Sequence, residues 1–71
     1  MDEKFYFDIL LKECGHVTRI YADEFDTFDF HDGEKNIDFY NNGLTVAIFP
    51  ARCIDQIFNR DDKIVFDSKE G

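Results

Sequence analysis

The sequence predicts a mainly β fold with one short helix: a small antiparallel meander sheet of five to six strands, curled into an open barrel or roll. Three observations carry this expectation. Nine Phe and three Tyr stand among 71 residues with no Trp, and aromatic residues favour strands. Apolar and polar residues alternate with a period of two over short runs. Gly-containing turn signals separate those runs at close intervals. Phe, Ile, Leu and Val make up about 31% of the chain, above the roughly 20% below which a charged chain stays unfolded. The length allows one domain over 1–71, small enough that little surface is buried on folding.

The first strand is read at 5–12, where Phe5, Phe7, Ile9 and Leu11 share one face and Tyr6, Asp8, Leu10 and Lys12 the other. Glu13-Cys14-Gly15 turns the chain, and Gly15 tolerates positive φ. A second strand follows at 16–22, with Thr18, Ile20 and Ala22 alternating against Val17, Arg19 and Tyr21. Either set can face the core. Asp23-Glu24 marks a bend or bulge, because Phe25 and Phe28 are out of phase for one straight strand with an inward aromatic face.

A third strand is expected at 27–31 with Phe28 and Phe30 inward and Thr27, Asp29 and His31 outward. Asp32-Gly33 is a hairpin signal, and 36–40 returns as the fourth strand with Ile37 and Phe39 on one face. Asn41-Asn42-Gly43 is a second turn. The fifth strand, 44–49, carries no charge and is therefore expected to be central. Pro50 ends it and suits a helix start. A helix is expected at about 51–59, where Ile54, Ile57 and Phe58 fall at helical spacing. A last strand at 63–67 and a frayed tail at 68–71 complete the chain. This order, with a helical turn after the Phe49-Pro50 pair and a closing strand, resembles SH3-like barrels in outline. The lack of Trp and of a peptide-binding aromatic set means that no SH3 function is carried over.

Sixteen acidic residues against eight basic ones leave a formal charge of −8. That balance disfavours direct binding to nucleic acid or to an anionic membrane and favours a basic protein surface. Two cysteines with no signal peptide and no membrane-length apolar run suggest a reducing, cytoplasmic location, in a host cytoplasm if the chain is virally encoded.

Cys14, His16, His31 and Cys53 are suitable zinc ligands in type, but their spacing matches no paired-ligand pattern. An EF-hand register on Gly33 puts Phe28 and Phe30 where oxygen ligands are needed. Ser68 is the single Ser, and no phosphate-cradling glycine loop occurs. No catalytic residue, cofactor or metal is expected. The charge itself is the remaining signal. Six of the twelve residues from Asp23 to Glu34 are acidic and none is basic. Asp23, Glu24, Asp26, Asp29, Asp32, Glu34 and Asp38, with His31 and Tyr40 between them, form the expected partner-binding set.

The leading expectation is a non-enzymatic inhibitor that occludes the basic, nucleic-acid-binding site of a partner such as a nucleic-acid-processing enzyme. Small acidic proteins of phages and mobile elements directed against nuclease, CRISPR or restriction systems work in this way. The rival is a structural, self-associating domain, such as a homodimer, that uses an exposed sheet edge with Tyr6, Leu10, Tyr21 and Tyr40. Charges on a sheet edge also serve simply to prevent edge-to-edge association.

Overall fold

A computed structural model describes residues 5–29 and 33–69. The described residues form seven strands: β1 (Phe7–Leu11), β2 (Val17–Ile20), β3 (Glu24–Asp29), β4 (Lys35–Asn41), β5 (Leu44–Pro50), β6 (Ile54–Asn59) and β7 (Ile64–Asp67). They are arranged in two antiparallel sheets, of order β2-β1-β6-β7 and β3-β4-β5. The expected single meander is thus divided, and the strands close no barrel among the described residues.

The division happens at one peptide. Ala22 N–H donates to the Phe5 carbonyl in the first sheet, and Asp23 N–H donates to the Tyr40 carbonyl in the second. The acidic bend at Asp23 is therefore a change of sheet. The chain returns through a 3-10 turn at Ala51–Cys53, after which β6 pairs with β1 and not with its predecessor.

The core lies between the sheets. Phe7, Ile9, Ala22, Ile37, Phe39, Ile54 and Ile57 are buried. Phe39 is its centre, with ring centroids 5.7 Å from Phe7, 5.7 Å from Phe25 and 5.8 Å from Phe49. Aromatic pairs at such distances add to the area they bury. The second strand resolves as Ala22 buried with Ile20 packed on the core, while Val17 and Tyr21 are exposed. Phe5, expected on the same strand face as Phe7 and Ile9, precedes β1 and is 53% exposed, with the Arg60 guanidinium over its ring.

Three expectations are corrected. The helix at 51–59 is a 3-10 turn followed by strand β6. Leu10 pairs with Gln56 but Leu11 with Ile54, so Asp55 is an extra residue in the ladder. That bulge turns both Ile54 and Ile57 inward at a spacing of three, which imitates a helical period. The third strand begins at Glu24, and its six residues pair with β4 without a register shift. Alternation then places Phe25 inward and leaves Phe28 outward and exposed. Finally, uncharged β5 is an edge strand and β4 is central. The buried triplet Ile37-Asp38-Phe39 marks that central position.

Turn chemistry follows the local residues. Asn42 (φ 55°) and Gly43 (φ 79°) make a two-residue turn of the type that matches strand twist. Gly33 also has positive φ, 82°, while Phe30, His31 and Asp32 of the expected hairpin tip lie outside the described residues. Ser68, expected to fray, donates its N–H to the Asp55 carbonyl at 2.9 Å.

Candidate functional site: the outward face of the three-stranded sheet

Register builds this face in three rows. Glu24 on β3, Tyr40 on β4 and Thr45 on β5 form the first; Asp26, Asp38 and Ile48 the second; Phe28, Asn36 and Pro50 the third. Val46 is the extra residue of a bulge, since Phe39 pairs with Ala47 and Tyr40 with Thr45. No Lys or Arg occurs in these rows. The carboxylates stand on β3 and β4, and an apolar border of Val46 and Ile48 stands on β5, exposed by 49% and 58%; Leu44, 71% exposed, lies at the start of the strand opposite Asn41.

The central pair is Asp26 and Asp38, directly opposite each other. Like charges in that position are destabilising. Asp26 is exposed, and its Oδ1 accepts from Thr27 N–H at 2.9 Å. Asp38 is only 6% exposed although it belongs to the outward face, and its Oδ1 has no hydrogen-bond partner. Burial raises the Asp38 carboxyl above the ordinary carboxylate range; the Tyr40 hydroxyl, donating to the carboxylate, opposes this, and the Asp26 charge adds to it. Burial likewise raises the Tyr40 phenol, reinforced by the charges of Asp38 and Asp26.

The expected partner-binding residues do not all join this face. Glu24, Asp26, Asp38 and Tyr40 do. Asp23 is used locally: its Oδ2 accepts from Asn42 N–H at 3.1 Å, tying the start of β3 to the β4–β5 turn. Asp29 alternates to the other side of β3, opposite Lys35. Glu34 accepts from Arg52 Nη1 at 2.7 Å. His31 and Asp32 lie outside the described residues. The apolar border was not foreseen, because the uncharged run 44–49 reads equally as a buried strand; the adjacent turn at Asn42-Gly43 does not distinguish edge from centre.

Elsewhere, two carboxylates, Asp8 and Glu34, meet arginines. Asp8 Oδ1 accepts from Arg19 Nε at 2.9 Å, and Arg19 also lies 3.9 Å over the Tyr6 ring. Asp8 holds the Arg19 guanidinium's pKa well above its usual value. Tyr21 meets Tyr6 edge-on at 6.0 Å. Small clefts among the described residues include the following two. One, of about 220 Å³, lies among Phe5, Tyr6, Asn59, Arg60 and Val65. The other, of about 290 Å³, lies among Thr27, Lys35, Arg52, Phe66 and Asp67. Among the described residues no three or more His, Cys, Asp or Glu side chains are grouped to hold a metal ion. No helix among them is long and apolar enough to cross a membrane. No family model, curated protein or solved structure matches the chain.

Proposed function

We propose that the chain is a small acidic, non-enzymatic binding protein whose outward sheet face occludes a basic, nucleic-acid-binding site on a partner protein. The observation that carries this reading is the row arrangement of Glu24, Asp26, Asp38 and Tyr40 on one face without a Lys or Arg among them. Asp8 and Glu34 meet Arg19 and Arg52 elsewhere, whereas the carboxylates of this face have no ion-pair partner among the described residues. Two sheets over one aromatic core, an open roll in effect, hold the carboxylates in place before binding, which lowers the ordering cost of association. The face also has an apolar border, which gives a partner area to bury beyond charge alone. Phage and mobile-element inhibitors of nuclease, CRISPR or restriction systems, which work in the cytoplasm, are the type of protein this describes.

The test is capture from a bacterial lysate on the immobilised chain, beside a Glu24→Gln/Asp26→Asn variant, at low and high salt. The captured protein is then assayed for nucleic-acid binding with and without the chain. The expected result is a partner lost at high salt and on the variant, whose nucleic acid the chain displaces. A partner that is held equally by the variant, or that binds nucleic acid undisturbed, overturns the reading.

Self-association is a second reading, favoured by one observation. Strand β5 is an unpaired, uncharged edge with Leu44, Val46 and Ile48 exposed, and such edges template strand addition.

A further inference from the structure

We infer that Asp26 and Asp38, with Tyr40 beside them and Ile48 as an apolar wall, form a receptor for an arginine guanidinium of the partner. The inference rests on the reading of the outward face as a recognition surface and names the group that the face takes. Acidic residues alone define no site, so the weight falls on Asp38. Its side chain is 6% exposed, it shares the outward side of β4 with Tyr40, and its Oδ1 is unpartnered. A buried carboxylate oxygen without a donor is costly to keep. Keeping it directly opposite a second carboxylate is costlier still. Oδ1 is closed to solvent, so an incoming cation reaches it only as the side chains over it move aside, and several N–H groups then remove both costs at once.

The geometry selects among cations. A metal ion lacks a third ligand, since no such group occurs among the described residues. An ammonium is a point charge with a strongly held hydration shell, which a nearly closed oxygen disfavours. A guanidinium is planar and weakly hydrated, and it presents donors along two edges, so it can face Asp26 on β3 and Asp38 on β4 together. Ile48, the β5 partner of Asp38, is 58% exposed and offers apolar surface for the three-carbon stem. Asp26 is exposed with its Oδ1 on the Thr27 amide, so Oδ2 remains for the ligand. The titratable groups around Asp38 are Asp26 and Glu24, whose negative charges favour a cation, and Tyr40, whose hydroxyl donates to the Asp38 carboxylate and turns its oxygen lone pairs to the ligand. Burial raises the Asp38 carboxyl, so guanidinium binding draws it down and releases a proton wherever Asp38 was still protonated.

The experiment is a nuclear magnetic resonance titration of the full chain, observing backbone amides and side-chain carboxyl carbons. The probes are N-acetyl-arginine amide, N-acetyl-lysine amide and a short oligoarginine peptide. The arginine amide is expected to shift Asp26, Asp38 and Tyr40 selectively and to lower the Asp38 pKa, with the lysine amide weaker. Asp38→Asn is expected to weaken arginine-amide binding by about tenfold, the loss of one charge-assisted contact. Asp26→Asn serves as the independent variant, and Asp29→Asn, on the other side of β3, is expected to change nothing. Equal binding of the two amides, or shifts unaltered by both Asp26→Asn and Asp38→Asn, overturns the assignment. Oligoarginine bound to this face with Asp38 unperturbed removes the guanidinium receptor and leaves the recognition face standing. Oligoarginine that does not engage the face removes both.

Discussion

Asp38 is the residue at which this molecule departs from what local patterning dictates. On the outward side of a sheet strand a carboxylate is ordinarily solvated, yet here the central position of β4 buries it opposite Asp26. Its carboxyl is raised in the folded state, chiefly by burial. Between the ordinary carboxylate range and that raised value the folded chain binds more protons than the unfolded one. Stability therefore falls as pH rises through this window. Asp38→Asn should raise neutral-pH stability by roughly 0.5–1 kcal/mol, the size of a relieved like-charge pair. The gain should vanish below the window, where Asp38 is protonated in both states. Thermal unfolding of the two proteins across acid to neutral pH checks this; a variant less stable than the parent at neutral pH refutes the account. If the guanidinium inference holds, the same variant gains stability and loses binding. Phe39 shows the opposite case: it shares a face with Ile37, as alternation predicts, and the core holds it in contact with three rings.

Single elements were legible to different degrees, for identifiable reasons. Strand β1 alternates cleanly, and the turns at Gly15 and at Asn42-Gly43 carry residues that tolerate their positive φ. Gly43→Ala is expected to destabilise by about 1 kcal/mol, because an L residue resists φ 79°. No neighbouring atom lies within 4 Å of a Cβ added there, so the cost is backbone strain alone. Chemical denaturation measures it, and an unchanged midpoint would show that the turn can relax into another form. Strand β6 carries a helix-like pattern because the bulge at Asp55 gives Ile54 and Ile57 a spacing that periodicity assigns to a helix. A bulge is a property of the pairing between two strands. It has no signature within one of them.

For the whole molecule, the issue is how the two sheets expose their edges and charge. The outward acidic face and the apolar β5 edge adjoin, so a basic partner at the one and a second copy of this chain at the other would compete for neighbouring surface. Sedimentation at increasing concentration distinguishes the readings. A monomer over the accessible range is expected if the face serves a basic partner. A dimer abolished by Ile48→Lys, with the sheet spectrum retained, establishes self-association through β5 instead. Salt separates them further: screening weakens the charge-led complex and leaves an apolar edge contact largely intact.

Composition and patterning alone determined that this chain is a small, mainly antiparallel β protein with excess negative charge near its middle. These are properties of neighbouring residues: alternation over a strand, glycine at a turn, a run of carboxylates. Tertiary structure decided the rest. It set β5 at an edge and β4 in the centre, turned Phe28 outward and Asp29 to the other side, and spent Asp23 and Glu34 on local contacts. Only Glu24, Asp26, Asp38 and Tyr40 of the expected set were brought together by the described strands. Burial and opposition are relations between strands distant in sequence. The unpartnered oxygen of Asp38 exists because three strands meet around it.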